Sequence, residues 1–291
     1  MEIFLYIYLF IMIIWIASYP KSGNTWVRSI ISSLIYSNDG VFSFDLLKNI
    51  QQFPNKAHFE NLTEKFQDIH ELKKFWIPAQ DRINLDKKLK FFKTHHINCK
   101  IGEYPFTNKD NTLATIYIVR DPRNLVNSFT NHYTINKNTA KEHITSPKFV
   151  TGTFYKQNKK NNVFTIIGSW KDHYNSWTKK NDNLLLIKYE DLLSDPNKEI
   201  NKIIKFISKY INFNYDDAKI NNIINSTSFE KMKKMETDKG FHEAVQNKVN
   251  ENKVNFFNLG KDNNWKKYLE QHDVEYLVNK LGVEMEELDY I

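Results

Sequence analysis

Between an apolar, β-prone run, Met12 to Ala17, and apolar residues at helical spacing, Val27, Ile30, Ile31 and Leu34, lies the stretch Tyr19-Pro20-Lys21-Ser22-Gly23-Asn24-Thr25-Trp26. A strand, a tight loop with one glycine and a helix opening on Asn24 and Thr25 leave the chain few ways to fold. The product is an anion cradle: the helix start presents N–H groups and the positive end of its dipole, and Lys21 adds a full charge. The nucleoside-triphosphate loop needs a glycine, four residues, then Gly-Lys-Ser/Thr. Here the lysine precedes the only glycine.

Composition narrows the rest. At 291 residues the chain suits one α/β domain with insertions, two small domains also being allowed. Apolar residues at 41%, with 14% aromatic, are enough for a sizeable core. A net charge of +7 favours an anionic ligand. Acidic residues are interspersed and no long basic block stands out, so no nucleic acid partner is expected. Cys99 is the only cysteine, which rules out an intramolecular disulfide and favours a reducing, cytoplasmic compartment.

The apolar run from Ile3 to Ala17 is short against the ~20 residues of a membrane span. It also lacks the charged flank and cleavage site of a signal peptide. Residues 1–11 therefore read as an N-terminal extension ahead of a domain over 12–291, with Met12 an alternative start to Met1. Membrane association through residues 1–17 is the alternative, and no membrane partner is expected.

Along the chain, Thr25 to Ser37 reads as the first helix, broken at Asp39-Gly40. Residues 42–86 read as a mixed insertion with helical patches from Asn61 to Phe75. Leu89 to Thr94 is a short strand ending in Lys93-Thr94-His95-His96. Leu113 to Val119 is continuous and β-branched, as a buried parallel strand requires. Asp121 is placed to cap the helix that Pro122 opens. The polar, Lys- and Asn-rich stretch 134–162 reads as a mobile loop or lid, followed by a helix from Val163 to Lys179. Strand Leu184 to Lys188, a turn at Tyr189-Glu190-Asp191 and a helix from Asn197 to Tyr210 come next. Alternating strands and helices imply an α/β domain with a mostly parallel central sheet flanked by helices.

The order Pro-Lys-Ser-Gly-x-Thr-Trp resembles the 5′-phosphosulfate loop of cytosolic-type sulfotransferases, which use 3′-phosphoadenosine 5′-phosphosulfate (PAPS) and have a P-loop NTPase-like fold. Tyr117-Ile118-Val119-Arg120-Asp121-Pro122-Arg123 resembles the family's 3′-phosphate motif, in which an arginine ends a strand and a serine follows eight residues later. Those are Arg120 and Ser128. A charged donor plus a hydroxyl at a helix start suits a phosphate monoester; the competing reading is an Arg120 held by a surface carboxylate such as Asp121. Lys93-Thr94-His95 resembles the family's Lys-Thr-His segment, whose histidine is the base. Spacing selects His95, with His96 the alternative. Tyr189-Glu190-Asp191-Leu192 and Thr227-Ser228-Phe229 resemble later nucleotide segments, implying Tyr189 near the adenine, a Thr227 contact, and Phe229 and Trp26 on either face of the base. The family's C-terminal Arg-Lys-Gly-x-x-Gly-x-Trp-Lys survives only as Gly260, Trp265 and Lys266. Its charged pair is replaced by Asn258 and Leu259, with Lys261 a candidate substitute.

The resemblance implies metal-free, in-line sulfuryl transfer to a hydroxyl or amine of an acceptor. His95 would take the acceptor's proton, a histidine's ordinary pKa near 6.5 suiting it. Lys21 would neutralise the leaving oxygen, Lys93 orient the sulfonate, and Ser22, Gly23, Asn24 and Thr25 bind the 5′-phosphate. Ser128 would hold Lys21 aside until the donor binds. The rival readings are a P-loop kinase or NTPase, and a nucleotide-binding descendant of the fold without catalysis. Oligomeric state has no sequence signal here.

Overall fold

A computed structural model of the chain describes residues 12–152, 163–179, 181–246 and 253–291. The expected N-terminal extension, residues 1–11, and the stretch 153–162 of the expected loop lie outside the described residues. Five strands form the central sheet: β1 (Ile13–Ser18), β2 (Gln51–Gln52), β3 (Lys90–Thr94), β4 (Thr112–Val119) and β5 (Leu184–Lys188), in the order β2-β3-β1-β4-β5. β1 runs parallel to β3, pairing Ile13 with Lys90 through Ala17 with Thr94, and β2 runs parallel to β3 as well. The class is α/β, with a mostly parallel central sheet flanked by helices, as the strand and helix alternation implies.

The chain divides into two compact units, each assembled from three separate segments. That is why no linker shows in the sequence: the chain passes between the units five times, at Tyr19-Pro20, Asn49-Ile50 and Ser146-Pro147, inside β4 and inside β5.

The first unit takes residues up to Tyr19, Ile50–Tyr117 and Pro147–Leu186. β1 is wholly buried, as a central parallel strand must be. Trp15 meets Phe53, Phe106, Trp177 and Phe92 with ring centroids 5.7–6.2 Å apart, and its indole N–H donates to Thr112 Oγ1 at 2.9 Å. An aromatic core of this kind needs that partner for its polar edge.

The second unit takes Pro20–Asn49, Ile118–Ser146 and Ile187–Ile291. Its first helix, α1 (Asn24–Tyr36), buries Val27, Ile30, Ile31 and Leu34, the spacing read from the sequence. A core cluster of Phe42, Leu47, Met232, Phe241 and Phe257 gathers Trp26, Phe229 and Phe256 against it.

Several local expectations change. The stretch expected as a loop contains α2 (Lys137–Thr145), capped by the Asn136 side chain and held by Lys137 and Lys141 on the buried Asp273. Its Lys- and Asn-rich surface conceals Ala140 and Ile144, both buried at i,i+4. The helix expected from Val163 begins only at Trp170, giving α3 (Trp170–Thr178). Gly168 takes a φ of 72°, Ser169 caps the helix, and Thr165–Ile166 pairs instead with Val150–Thr151. The expected turn at Tyr189 is the first turn of a short helix, α4 (Tyr189–Ser194). A helix over Trp76–Asn84, unforeseen because of Pro78, tolerates that proline in its first turn, where no N–H bond is lost.

Candidate functional site

The second unit builds the loop. Lys21 and Gly23 both take positive φ, 67° and 100°, which turns the chain from Pro20 into α1. The N–H groups of Trp26 and Val27 donate to Gly23 O at 3.0 and 3.2 Å. Amides from Gly23 to Thr25 therefore precede the helix's own ladder. The region attracts anions within the protein itself: the Glu243 carboxylate accepts from Thr25 Oγ1 at 3.1 Å and from Arg28 Nη1 at 2.6 Å. Ser22 Oγ, fully buried, finds no hydrogen-bond partner among the described residues. The Lys21 ammonium lies 3.8 Å from the centre of the Phe256 ring.

Arg120, buried at the end of β4, is pinned from several directions. Its Nη1 donates to Lys21 O at 3.2 Å and to Ser128 Oγ at 3.5 Å, and its guanidinium stacks on Tyr189 at 4.0 Å. Tyr189 in turn meets Trp26 edge-on at 5.7 Å. Asp121 does not hold Arg120. It caps the helix Pro122–Tyr133 and binds Arg123 through both carboxylate oxygens. Glu190 accepts the Asp121 N–H at 3.1 Å and the Tyr290 hydroxyl at 3.0 Å; burial raises its carboxyl against the pull of Arg120. Ser128 Oγ also accepts from Asn263 Nδ2 at 3.0 Å.

Lys21 to Trp26, Arg120, Ser128 and Tyr189 thus form one connected group. Phe229, Gly260 and Lys261 form another. The Phe229 ring lies so close to Gly260 that a Cβ there would come within 2.6 Å of it. Lys261, Lys233, Lys234, Asn258 and Leu259 join Phe229 around a cavity of about 480 Å³. Thr227, fully buried, spends its hydroxyl on Ile223 O at 2.7 Å.

Lys93 and His95 belong to the first unit. Lys93 is buried on β3. His95, half-buried just beyond it, holds its Nδ1 2.8 Å from Ser18 O. A carbonyl only accepts, so Nδ1 carries the proton and the lone pair falls on Nε2. His96 is a core residue: it stacks on Phe106 at 4.2 Å and burial pushes it down to about 3. Of the two adjacent histidines, only His95 has the exposure a base needs. Among the described residues no group of three or more His, Cys, Asp or Glu is arranged to hold a metal ion, and no helix is long and apolar enough to cross a membrane.

This geometry sits within a stretch, residues 13–288, that matches the model of the sulfotransferase domain. The chain belongs to the sulfotransferase family. Its similarity to individual sulfotransferases is distant but long. It is 27% identical to mouse Sulfotransferase 1B1 over 284 residues, covering 93% of this chain and 83% of that one. The mouse sulfotransferase SULT7A1, crystallised with PAP, shares its fold at a TM-score of 0.53 and 23% identity, covering 93% of this chain and 84% of that one. Retinol dehydratase, in complex with androsterone and the inactive cofactor PAP, superposes at a TM-score of 0.56 with 17% identity over 94% of this chain and 80% of its own.

Sequence reasoning missed several residues of this sulfotransferase's candidate site. Asn263 was reachable, because it lies inside the eroded C-terminal motif. Glu190 lies inside the Tyr189–Leu192 segment without being singled out by it, while Glu243 and Lys233 carry no local signal: each reaches its partner from a distant segment or a helix face.

Proposed function

We propose that this chain transfers the sulfuryl group of PAPS to a hydroxyl or amine of an acceptor, with residues 12–291 as the transferase domain. The observation that carries the reading is the Lys21–Gly23 turn tied through Lys21 O to Arg120, and through Arg120 to Ser128. The residues fit a phosphorylated nucleotide: Ser22 offers a buried hydroxyl without a partner among the described residues, the Thr25 hydroxyl and Arg28 guanidinium already draw the Glu243 carboxylate, and Gly23 keeps a Cβ out of the loop.

PAPS supplies an activated sulfuryl group whose leaving side is a phosphate. The charge of sulfuryl transfer spreads over non-bridging oxygens, so the protein's work is positioning and charge stabilisation. Lys21 neutralises the oxygen that gains charge as the bond breaks. Ser22, Gly23, Asn24 and Thr25 bind the 5′-phosphate, and Arg120 with Ser128 binds the 3′-phosphate. Lys93 orients the sulfonate. His95, protonated on Nδ1 by its bond to Ser18 O, receives the acceptor's proton on Nε2. Tyr189, Trp26 and Phe229 provide aromatic surface for the base, and Thr227 a nearby backbone contact. No metal takes part.

Where the family pattern carries its charged pair, Lys233 Nζ donates to Asn258 O at 3.0 Å, and Lys261 lines the same cavity. Lys233 and Lys261 return positive charge to that segment. A reducing compartment such as the cytoplasm fits the single cysteine. The reading is tested by incubating the protein with radiolabelled PAPS and a panel of phenols, alcohols and amines. Label transfer to an acceptor supports it; loss of label to none, with intact nucleotide binding, favours a non-catalytic descendant.

A further inference from the structure

A chain of hydrogen bonds in the first unit connects the backbone just before the phosphate loop to the backbone of His95. The Tyr19 N–H donates to the Tyr117 hydroxyl. That hydroxyl has a single proton, and its other neighbour is His173 Nδ1 at 2.9 Å, so the proton is donated there. On the far side of the ring, His173 Nε2 lies 3.1 Å from His95 O. A carbonyl only accepts, so Nε2 carries the N–H. Two independent demands, one from each end, select the same neutral tautomer of His173. Burial keeps the imidazole in that neutral form, pushing it down to about 3. The Tyr19 ring meets the His173 ring edge-on at 5.7 Å and holds its plane.

The same backbone also holds the other part of His95. Ser18 O accepts from His95 Nδ1 at 2.8 Å. Ser18 and Tyr19 are consecutive, and Pro20 follows them into the loop. One peptide step therefore fixes the ring of His95 directly and its carbonyl through two side chains. Groups buried this deeply and saturated this fully have little freedom to shift separately.

We propose that Tyr117 and His173 are positioning residues for His95, fixing the placement of its backbone relative to the backbone that leads into the phosphate loop. The proposal rests on the reading of His95 as the base. Neither residue touches a reacting group; each acts through the one it holds. The neighbouring His96, by contrast, closes onto the adjacent Ile97 O.

Long-range proton–nitrogen spectra of histidine-labelled protein read the tautomers directly, with His95→Gln and His173→Gln used for assignment. The expected wild-type pattern is His173 protonated on Nε2 and His95 on Nδ1. Tyr117→Phe removes the donor to His173 Nδ1 and, with the same hydroxyl, the acceptor of the Tyr19 N–H. It is expected to loosen the tautomer of His173 and to lower kcat by about 10- to 100-fold, the scale of a misplaced reacting group. KM for PAPS and affinity for adenosine 3′,5′-bisphosphate stay unchanged. His173→Gln, which keeps an N–H near the ε position, retains more activity than His173→Phe, a rescue that a purely space-filling role does not give. The proposal is overturned if wild-type His173 carries its proton on Nδ1, or if Tyr117→Phe leaves kcat as it was. If the wild type sulfates no acceptor, the transferase reading fails, while the tautomers still decide whether the relay exists.

Discussion

The Tyr189 ring lies against Gly23 so closely that a Cβ built on the glycine would stand 2.6 Å from Tyr189 Cδ2. The same residue has a φ of 100°, a region that side chains rarely enter. Tyr189 in turn carries the Arg120 guanidinium at 4.0 Å. Gly23→Ala therefore strains the loop by about 1–2 kcal/mol through backbone alone and displaces the ring that seats Arg120. The expected result is a lowered unfolding midpoint in a thermal scan together with more than about tenfold weaker binding of adenosine 3′,5′-bisphosphate. Wild-type affinity in that variant contradicts the geometry of the loop.

Lys21 and His95 divide binding from chemistry. Lys21→Ala abolishes turnover and weakens the bisphosphate. His95→Ala abolishes turnover while binding of the bisphosphate, followed by calorimetry, stays near wild type. Retention of most activity by His95→Ala shows that another group takes the proton.

Charge around Arg120 and Asn258 reads the 3′-phosphate. Loss of one charge-assisted hydrogen bond costs about 1.5–3 kcal/mol, or roughly 10- to 150-fold in affinity. Arg120→Gln and Lys233→Ala are each expected to weaken adenosine 3′,5′-bisphosphate by that order and to leave adenosine 5′-monophosphate little changed. Equal weakening of both nucleotides by Lys233→Ala removes that lysine from the 3′-phosphate.

Acid is expected to destabilise this protein through the buried His96 and His173. His96 and His173 are both pushed down to about 3, while an unfolded histidine titrates near 6.5. Below pH 6.5 the unfolded chain binds protons that the folded chain refuses, so stability falls with falling pH. The loss is about 1.4 kcal/mol per pH unit for each histidine, down to about pH 3. Urea midpoints measured from pH 7.5 to 4.5 are expected to decline steadily below 6.5, and His96→Phe to flatten the decline. A midpoint independent of pH across that range contradicts the buried, neutral state of these rings.

The legible parts of this fold are those whose signal is local. β1 and β4 read as continuous apolar runs because central strands of the sheet are covered on both faces, whereas β5, at the sheet's edge, buries only Ile187 fully. The cap by Asp121 read correctly because its donor, the Arg123 N–H, is two residues away. Helix Lys137–Thr145 was not legible, since its fixing partner is Asp273, more than a hundred residues on, and its buried face is only Ala140 and Ile144 among the buried stem of Lys141. Spacing after Lys93 selects His95 over His96, and what the sequence could not show is the stacking on Phe106 that makes His96 a core residue. Motif residues Lys21, Gly23, Arg120 and Ser128 were readable as a set. Of the groups that orient them, Asn263 and Glu190 lie inside motifs but at positions the motifs do not mark, and Tyr290 comes from a segment with no pattern of its own.

The central claim is a site for a nucleotide phosphorylated at both the 3′ and 5′ positions. Calorimetric titration of the purified chain with adenosine 3′,5′-bisphosphate, against adenosine 5′-monophosphate and ATP, tests it most directly. The account predicts selective binding of the bisphosphate, with a Kd on the order of micromolar despite Asn258 and Leu259. No binding of the bisphosphate, or a preference for ATP, contradicts it.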